Sequence, residues 1–344
     1  MIDVVIIPGD GIGPEIVESV KFLFEKALVP VNWIEAQAGE RAYRETGSWL
    51  PDETVDLVRR FKLALKGPTT TPAGGGHRSV NVALRQRLGL FANVRPAVSL
   101  PGIETKFGNI DLITVRENVE DTYSGIEYMK TADVAWGIKL STRPGARRVI
   151  RYAFEFAKQR GRSKVTCVNK ANIHKLTDGI FLETFREIAS EYEGIEADEK
   201  FVDNACMQIV SDPSRFDVIV TPNLYGDIIS DLMAGLVGGL GVTPAANIGA
   251  DCAVFEAVHG SAPDIAGKGI ANPTALILSS LMLLDHAGLS NYSEYIYAGL
   301  CEALKNGCFT KDLGGDMTLM EFTEAVAGFF DREHMTYSGK APSG

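Results

Sequence analysis

Two aspartates four residues apart, Asp227 and Asp231, are the first candidates for chemistry in this sequence. If the segment around them is helical, both carboxylates lie on one face, where like charges destabilise a helix by roughly 0.2–0.5 kcal/mol. The positive end of the helix dipole could offset part of that repulsion. A bound divalent cation would offset more, since Mg²⁺ typically takes one or two protein carboxylates. The segment alone leaves both interpretations open.

A second segment combines a hydroxyl, an amide and two guanidinium groups. Three glycines lead into Ser79, where a helix would begin, and Asn81 and Arg85 share one face of that helix. Arg95 follows on the next extended segment. A helix N-terminus beside two arginines suits a carboxylate, because arginine can pair with carboxylates through two parallel hydrogen bonds. A surface helix with solvated arginines is the competing interpretation.

Three further polar residues end or follow predicted strands. Arg116 ends an apolar strand, where ligand-facing residues of α/β sheets tend to lie. Tyr123 follows in a polar turn and could donate a proton, although a single loop tyrosine is more often a packing residue. Lys170 stands at the end of another strand and could act in acid–base chemistry if it is desolvated there.

Two segments are candidates for a dinucleotide site. The glycines of Gly9–Gly13 follow a strand, but their G-x-G-x-G spacing differs from the G-x-G-x-x-G of a Rossmann site, even with Glu35 available as a ribose ligand. A tight structural turn is the alternative. The second segment is the long loop after Glu256, which contains Asp264 and runs to Asn272, the cap of a predicted helix. An aspartate there could accept hydrogen bonds from the ribose of NAD and would repel a 2′-phosphate.

Strands alternate with helices along the chain, which predicts an α/β fold. The pattern shows no internal repeat, low-complexity tract or linker. The predicted strands cover residues 2–7, 31–36, 110–115, 164–169 and 217–221, and the predicted helices cover about 14–27, 51–60, 144–160, 177–192, 228–236, 273–287 and 293–303.

Composition narrows the class of protein. The chain has 344 residues, 45% of them hydrophobic, and a formal net charge of −10, which argues against nonspecific binding to nucleic acid or to an anionic membrane. Its five cysteines form no CxxC pair, so reduced thiols are expected rather than a disulfide framework or a zinc site. No secretory signal opens the sequence, and we expect an unexported, cytoplasmic protein. An acidic protein of this kind must gather arginines in one place to hold an anion.

Taken in order, six motifs resemble the β-decarboxylating dehydrogenases, the family of isocitrate, 3-isopropylmalate, homoisocitrate and tartrate dehydrogenases. The motifs are GDGIGPE, HRSVN with its following arginines, REN, NKAN, GDIISD and HGSAPDIAGKGIANP, and the resemblance runs from Ile2 to about Phe330. It implies a two-domain α/β fold that is not a Rossmann fold. Residues 1–97 with 246–344 would form a discontinuous, cofactor-side domain, and residues 98–245 a smaller domain with the dimer interface and the metal site. The Gly9–Gly13 segment is then a turn, and Glu35 has no cofactor role.

The resemblance also implies roles for individual residues. Lys170 and Asn172 would reach across a subunit interface, and Asp203 would bind metal at the partner's site, so the minimum active unit would be a homodimer with shared sites. The implied catalytic residues are Tyr123, Lys170 and Asp227; the substrate-binding residues are Ser79, Asn81, Arg85, Arg95, Arg116 and Asn172. The implied metal ligands are Asp203, Asp227 and Asp231, and the NAD-binding residues are Thr70, Thr71, His259, Gly260, Ala262, Asp264, Ile265 and Asn272.

The expected reaction is oxidative decarboxylation of isocitrate to 2-oxoglutarate and CO₂ with NAD and Mg²⁺, or Mn²⁺. The polar pair Ser79 and Asn81 is a poor host for an isopropyl group, because its own hydrogen-bonding groups would be left unpaired. Homoisocitrate, one methylene longer, stays open as an alternative substrate, followed by 3-isopropylmalate. So does a non-catalytic regulatory subunit of the same family. A Rossmann enzyme without metal is a third alternative, whose activity would survive EDTA.

Overall fold

Ten strands form one mixed sheet in the computed structural model, which describes residues 1–70 and 79–330. Their order across the sheet is β2-β1-β3-β12-β11-β4-β5-β10-β8-β9, and β6 and β7 form a separate hairpin. The strands are β1 (Ile2–Ile7), β2 (Val31–Glu35), β3 (Leu63–Lys66), β4 (Ala92–Val98), β5 (Asp111–Glu117), β6 (Glu127–Thr131), β7 (Val134–Gly137), β8 (Lys164–Asn169), β9 (Glu196–Phe201), β10 (Val218–Thr221), β11 (Pro244–Ile248) and β12 (Ala253–Ala257).

The sheet has a parallel half on each side and an antiparallel centre. Strands β2, β1, β3 and β12 run parallel to one another, as do β5, β10, β8 and β9. Between these halves, β11 is antiparallel to both β12 and β4, and β4 is antiparallel to β5. This arrangement differs from the doubly wound parallel sheet of a Rossmann domain, so the expectation of an α/β fold without Rossmann topology is confirmed.

Eleven helices cover the sheet in the described part of the chain. They are α1 (Gly13–Lys26), α2 (Glu40–Thr46), α3 (Asp52–Phe61), α4 (Val80–Leu88), α5 (Arg143–Gln159), α6 (Thr177–Ala189), α7 (Val202–Ser211), α8 (Asn223–Leu236), α9 (Thr274–His286), α10 (Ser290–Lys305) and α11 (Leu319–Gly328). Helix α8 carries both Asp227 and Asp231, and it packs on β4 and β5 at the antiparallel centre. None of the helices in residues 1–70 and 79–330 is long and apolar enough to cross a bilayer.

Most predicted elements are present, and the largest error concerns α8. The predicted strand at residues 164–169 matches β8, and α4 begins at Val80, directly after Ser79, as expected. The prediction that α8 begins at Ile228 is wrong, because the helix begins at Asn223 after Pro222. The correction places Asp227 beyond the first helical turn, where the dipole contributes little.

The glycine-rich turn after β1 packs closely against a neighbouring loop, as expected of a structural turn. Gly11 has φ +57°, and a Cβ atom there would lie 1.9 Å from the carbonyl oxygen of Ser261. Ile12 donates its backbone N–H to the same oxygen at 2.9 Å. Glu35 lies at the far end of the edge strand β2, with its side chain 80% exposed, and pairs with Lys21. The turn therefore packs directly against the loop that follows β12.

The predicted domain boundaries stay a prediction. One of them, between residues 97 and 98, falls near the end of β4, and the other, between 245 and 246, falls inside β11. Both of these strands belong to the antiparallel centre of the ten-stranded sheet.

Replacement of Gly11 by alanine should destabilise the fold more than the same change at Gly47. Both glycines have positive φ, but a Cβ on Gly47 meets nothing within 4 Å, whereas one on Gly11 overlaps a backbone carbonyl. Gly47→Ala should therefore lower the free energy of unfolding only by what alanine loses in the left-handed conformation, about 1–2 kcal/mol. Gly11→Ala should lower it clearly more. Urea unfolding of both variants measures the difference. Equal losses would show that the close contact at Gly11 relaxes freely.

Candidate active site

Three arginines predicted from two motifs come together at the centre of the sheet. Arg85, Arg95 and Arg116 are 7%, 8% and 1% exposed. In the β4–β5 register, Arg95 is opposite Thr114 and Arg116 is opposite Asn93, so both arginines project from the same face. Burial and the charges of Arg95 and Arg85 lower the pKa of Arg116 to about 10. The three guanidinium groups are thus close enough to repel one another.

Helix α8 supplies the carboxylates that these arginines face. Arg116 donates a short hydrogen bond to Asp227, and Arg95 lies 3.3 Å from Asp227 and 3.2 Å from Asp231. Burial alone would raise the pKa of Asp227, but Arg116 and Arg95 outweigh burial and hold it below its ordinary value. The pKa of Asp231 is raised, because burial and the charge of Asp227 outweigh Arg95. Arginine pairing therefore offsets the repulsion between Asp227 and Asp231. The sequence predicted that the helix dipole or a cation would provide this offset.

Amide side chains fix the direction of two of the arginines. The Nε and Nη2 atoms of Arg116 both donate to Oδ1 of Asn223, at 3.0 and 2.7 Å, and Nε of Arg95 donates to Asn93 at 2.6 Å. Gly226 lets the stem of Arg116 pass under α8, since a Cβ at this position would lie 2.5 Å from its Cγ. Glycine costs a helix about 1 kcal/mol relative to alanine, so its presence here is explained by this close packing.

Tyr123 joins the same cluster. Its hydroxyl donates a short hydrogen bond to Asp227, and the guanidinium of Arg116 lies 4.8 Å from the centre of its ring. Burial and the hydrogen bond to Asp227 raise the pKa of Tyr123. The hydroxyl therefore stays protonated at neutral pH, as a proton donor must.

Sequence reasoning did not predict the buried ion pair that Lys66 and Glu256 form beside Arg85. Nζ of Lys66 lies 2.9 Å from Glu256 and donates to the carbonyl of Gly67 at 2.8 Å, and Arg85 lies 3.0 Å from the other Glu256 oxygen. Lys66 and Glu256 are 1% and 4% exposed. Although burial opposes ionisation, Lys66 and Arg85 hold the pKa of Glu256 far below its usual range. The available signal was a charged residue in each of two otherwise apolar strands, Lys66 at the end of β3 and Glu256 within β12.

The predicted cofactor segments contact one another. Thr70 shares a hydrogen bond of 2.8 Å with Ser261, and its backbone N–H donates to the buried carboxylate of Asp10 at 2.7 Å. Thr69 donates to Asn81 at 3.1 Å, which links the same loop to the predicted substrate helix. Thr71 lies outside the described residues.

The predicted cofactor residues in the loop after β12 differ in their exposure to solvent. Gly260, Ala262 and Asp264 are exposed, while His259 and Ile265 are half-buried. Burial lowers the pKa of His259. Asn272 is buried and lies one residue before the cap of α9, which is Pro273 and not Asn272 as predicted; it accepts the N–H of Thr274 at 2.9 Å and donates to Asp312 at 3.0 Å. Both polar groups of Asn272 therefore already have structural partners.

Lys170, Asn172 and Asp203 lie apart from the arginine cluster. Nζ of Lys170 pairs with Asp203 at 2.6 Å, and Asn172 is exposed. In residues 1–70 and 79–330, no three His, Cys, Asp or Glu side chains are grouped so as to hold a metal ion. Asp227 and Asp231 nevertheless fit Mg²⁺, since their carboxylates share one helix face and are 34% and 50% exposed. One chain thus brings together two of the three predicted ligands.

The family model described as isocitrate/isopropylmalate dehydrogenase matches residues 3–326. The chain belongs to this family. A crystal structure of isocitrate dehydrogenase from Methylococcus capsulatus superposes with a TM-score of 0.93 at 50% identity, covering 97% of this chain and 99% of that one. The predicted family and its fold are therefore confirmed.

The curated relatives differ in role and substrate. The NAD isocitrate dehydrogenase catalytic subunit 5, mitochondrial, of Arabidopsis thaliana is 52% identical over 93% of this chain and 86% of its own length. A mitochondrial regulatory subunit of the NAD isocitrate dehydrogenase of Dictyostelium discoideum is 48% identical over 94% and 90%. The chloroplastic 3-isopropylmalate dehydrogenase of Solanum tuberosum is 50% identical over 89% and 86%. The names of these relatives place them in organelles, and the prediction of a cytoplasmic protein is wrong.

Lys66→Met should lower the free energy of unfolding by about 3 kcal/mol, because it leaves a buried carboxylate with one cation instead of two. Lys21→Met is the matched control, since Lys21 also bridges two carboxylates but does so on the surface; its loss should stay below about 1 kcal/mol. Urea unfolding at neutral pH measures both. Equal losses would mean that the Lys66–Glu256 pair adds no more than a surface pair.

Proposed function

We propose that this protein oxidises isocitrate and decarboxylates it to 2-oxoglutarate, with NAD as hydride acceptor and Mg²⁺ as cofactor. The observation that carries the proposal is the excess of buried positive charge. Ion pairs in the described residues join Lys66, Arg85, Arg95 and Arg116 to three carboxylates, those of Glu256, Asp227 and Asp231. These four cations and three carboxylates leave a surplus of one positive charge. A substrate with three carboxylates and a divalent cation together carry one net negative charge, which would balance that surplus. In a chain with net charge −10, such a surplus is a site for an anion.

The surroundings of Asn81, one of the predicted substrate-binding residues, favour a polar substrate. Asn81 is held by Thr69, and it lies one helical turn before Arg85. A partly buried amide of this kind would lose hydrogen bonds to an isopropyl group and keep them with a carboxylate. Homoisocitrate has the same carboxylates, and an extra methylene changes selectivity by only about 1–3 kcal/mol.

The reaction assigns separate tasks to the side chains. The three arginines would hold the substrate's carboxylates, and Asp227 with Lys170 of the partner subunit would take the proton of the C2 hydroxyl as the hydride leaves C2. When bound, NAD accepts that hydride and Mg²⁺ withdraws electrons from the C2 oxygen. The 3-carboxylate then leaves as CO₂, with the ammonium of the partner's Lys170 stabilising the enolate. Tyr123 would return a proton to C3, and its hydrogen bond to Asp227 offers a route for its own reprotonation.

NAD is proposed to lie along the loop after β12. Asp264 is exposed and available to the ribose hydroxyls, and a carboxylate there disfavours the 2′-phosphate of NADP. The contacts of Thr70 with Ser261 and Asp10 would hold the nicotinamide end of this site in a fixed position relative to the arginine cluster.

A subunit interface is proposed for the central segment, residues 98–245. Large apolar side chains are exposed on the β6–β7 hairpin, such as Met129 at 61% and Trp136 at 47%, and also near Lys170, where Leu176 is 83% exposed. Exposed apolar surface of this extent marks an association site. A second copy of this chain would bring the partner's Lys170–Asp203 pair toward Asp227. Two of the relatives are named as subunits, so assembly with a different chain is the alternative.

A regulatory subunit is the main rival for the role of this chain. The arrangement of Tyr123, Asp227, Arg95 and Arg116 in one hydrogen-bonded cluster favours catalysis, because a chain that only binds ligands has no need of a protonated tyrosine on a metal-site carboxylate.

The test is kcat/KM for isocitrate, homoisocitrate and 3-isopropylmalate, with NAD and NADP, in Mg²⁺ and in EDTA. We expect isocitrate with NAD and Mg²⁺ to exceed the other substrates at least tenfold, and EDTA to abolish turnover. A tenfold preference for homoisocitrate would overturn the substrate but keep the mechanism. Activity that survives EDTA would refute the metal site, and no NAD reduction with any of the three acids would favour the regulatory role.

A further inference from the structure

A largely buried lysine outside the arginine cluster joins two aspartates. Lys139 follows the β6–β7 hairpin, and its Nζ lies 2.7 Å from Asp178 and 3.6 Å from Asp121. The three side chains are 12%, 0% and 3% exposed. The ring of Tyr225 covers the ammonium, with 4.3 Å between Nζ and the ring centre. Burial alone would lower the pKa of Lys139, but the two carboxylates outweigh it and raise this pKa.

Each aspartate holds a different element of the candidate active site. Asp178 accepts the backbone N–H of Lys170 at 2.7 Å, just after β8 ends. Asp121 accepts the N–H of Leu224 at 2.9 Å, in the first turn of α8. Helix α8 begins after Pro222, which has no side-chain cap of its own, so Asp121 supplies the acceptor that this helix end requires. Asp121 also lies two residues before Tyr123.

One cation therefore connects the segment of Lys170 to the helix of Asp227 and the turn of Tyr123. A buried carboxylate that loses its counter-ion changes its hydrogen bonding or takes up a proton. Loss of Lys139 would leave two such carboxylates, and both backbone anchors depend on them. The aspartates and the lysine make no contact with the arginines that would hold substrate, among the hydrogen bonds and ion pairs of the described residues.

We propose that Lys139 is a positioning residue, which fixes the Lys170 end of β8 against the start of α8 and so sets the spacing of the acid–base groups that this chain supplies. The effect on catalysis rests on the proposed function, but the positioning itself can be measured without turnover.

Hydrogen exchange of the full-length protein tests the positioning. Lys139→Met should raise the exchange rates of the amides of Lys170 and Leu224 at least tenfold, since each loses a fixed acceptor. Lys164→Met is the matched control: Lys164 bridges Glu196 at 3.0 Å and Asp198 at 3.5 Å at the other end of β8. It should leave both amides unchanged. Unchanged exchange at either amide in Lys139→Met would overturn the proposal, whether or not the protein turns over isocitrate.

Kinetics then test the consequence for catalysis. We expect Lys139→Met to lower kcat at least 30-fold, to leave the KM for isocitrate within threefold, and to raise the isotope effect on kcat with substrate deuterated at C2. Lys139→Arg, which restores a cation, should recover kcat to within tenfold of the parent. If exchange rises but kcat stays within threefold of the parent, the link to catalysis is wrong; a parent that reduces no NAD refutes the proposed function instead.

A double variant covers the case in which Lys139→Met fails to fold. Lys139→Met with Asp178→Asn removes one unpaired buried charge and keeps an oxygen that can accept the N–H of Lys170. The amide of Leu224 should still exchange faster than in the parent, because Asp121 has lost its cation. Parent-like exchange at Leu224 in this variant would contradict the role of Lys139.

Discussion

The burial of a positively charged cluster at the centre of the sheet is the constraint on which the rest of this structure depends. Guanidinium groups cannot be removed from water without partners, and here each of the three has an amide or carboxylate partner, although the buried Nε of Arg85 makes no hydrogen bond. Asn223 accepts hydrogen bonds from Nε and Nη2 of Arg116, and Asn93 accepts one from Nε of Arg95. Asp227 and Glu256 provide the negative charge. The amides hold the arginines without neutralising them. A net positive charge therefore remains available to an anionic substrate.

The antiparallel centre of the sheet is what allows these residues to meet. Asn93 is opposite both Arg116 on β5 and Asn247 on β11, so the register aligns polar side chains on one face across neighbouring strands. Asn247 extends the row by hydrogen bonding to Asn93 at 2.9 Å and to Glu256 at 2.8 Å. Helix α8 then closes over this row, and Gly226 provides the space for Arg116. The acidic face of the helix and the basic face of the sheet are thus two sides of one cluster.

Sequence patterns predicted the parts of this site better than their assembly. Hydrophobic periodicity located most helices and the strand that ends before Lys170, and the ordered motifs indicated which arginines belong together. Periodicity could not place Arg85 beside Glu256, which lies 171 residues later in the chain, because that contact depends on the strand order β12-β11-β4. The role of Lys66 was missed for the same reason. The dipole interpretation of Asp227 failed because α8 begins at Asn223, five residues before the predicted start at Ile228.

The most direct test of the central claim is calorimetric titration of isocitrate, in Mg²⁺, into variants of two arginines on the same helix. Arg85 faces the cluster, while Arg87 pairs with Asp52 at the surface. If the buried cluster is the substrate site, Arg85→Met should weaken binding at least 100-fold, about 2.7 kcal/mol, and Arg87→Met less than threefold. Equal affinities for the two variants would contradict the account.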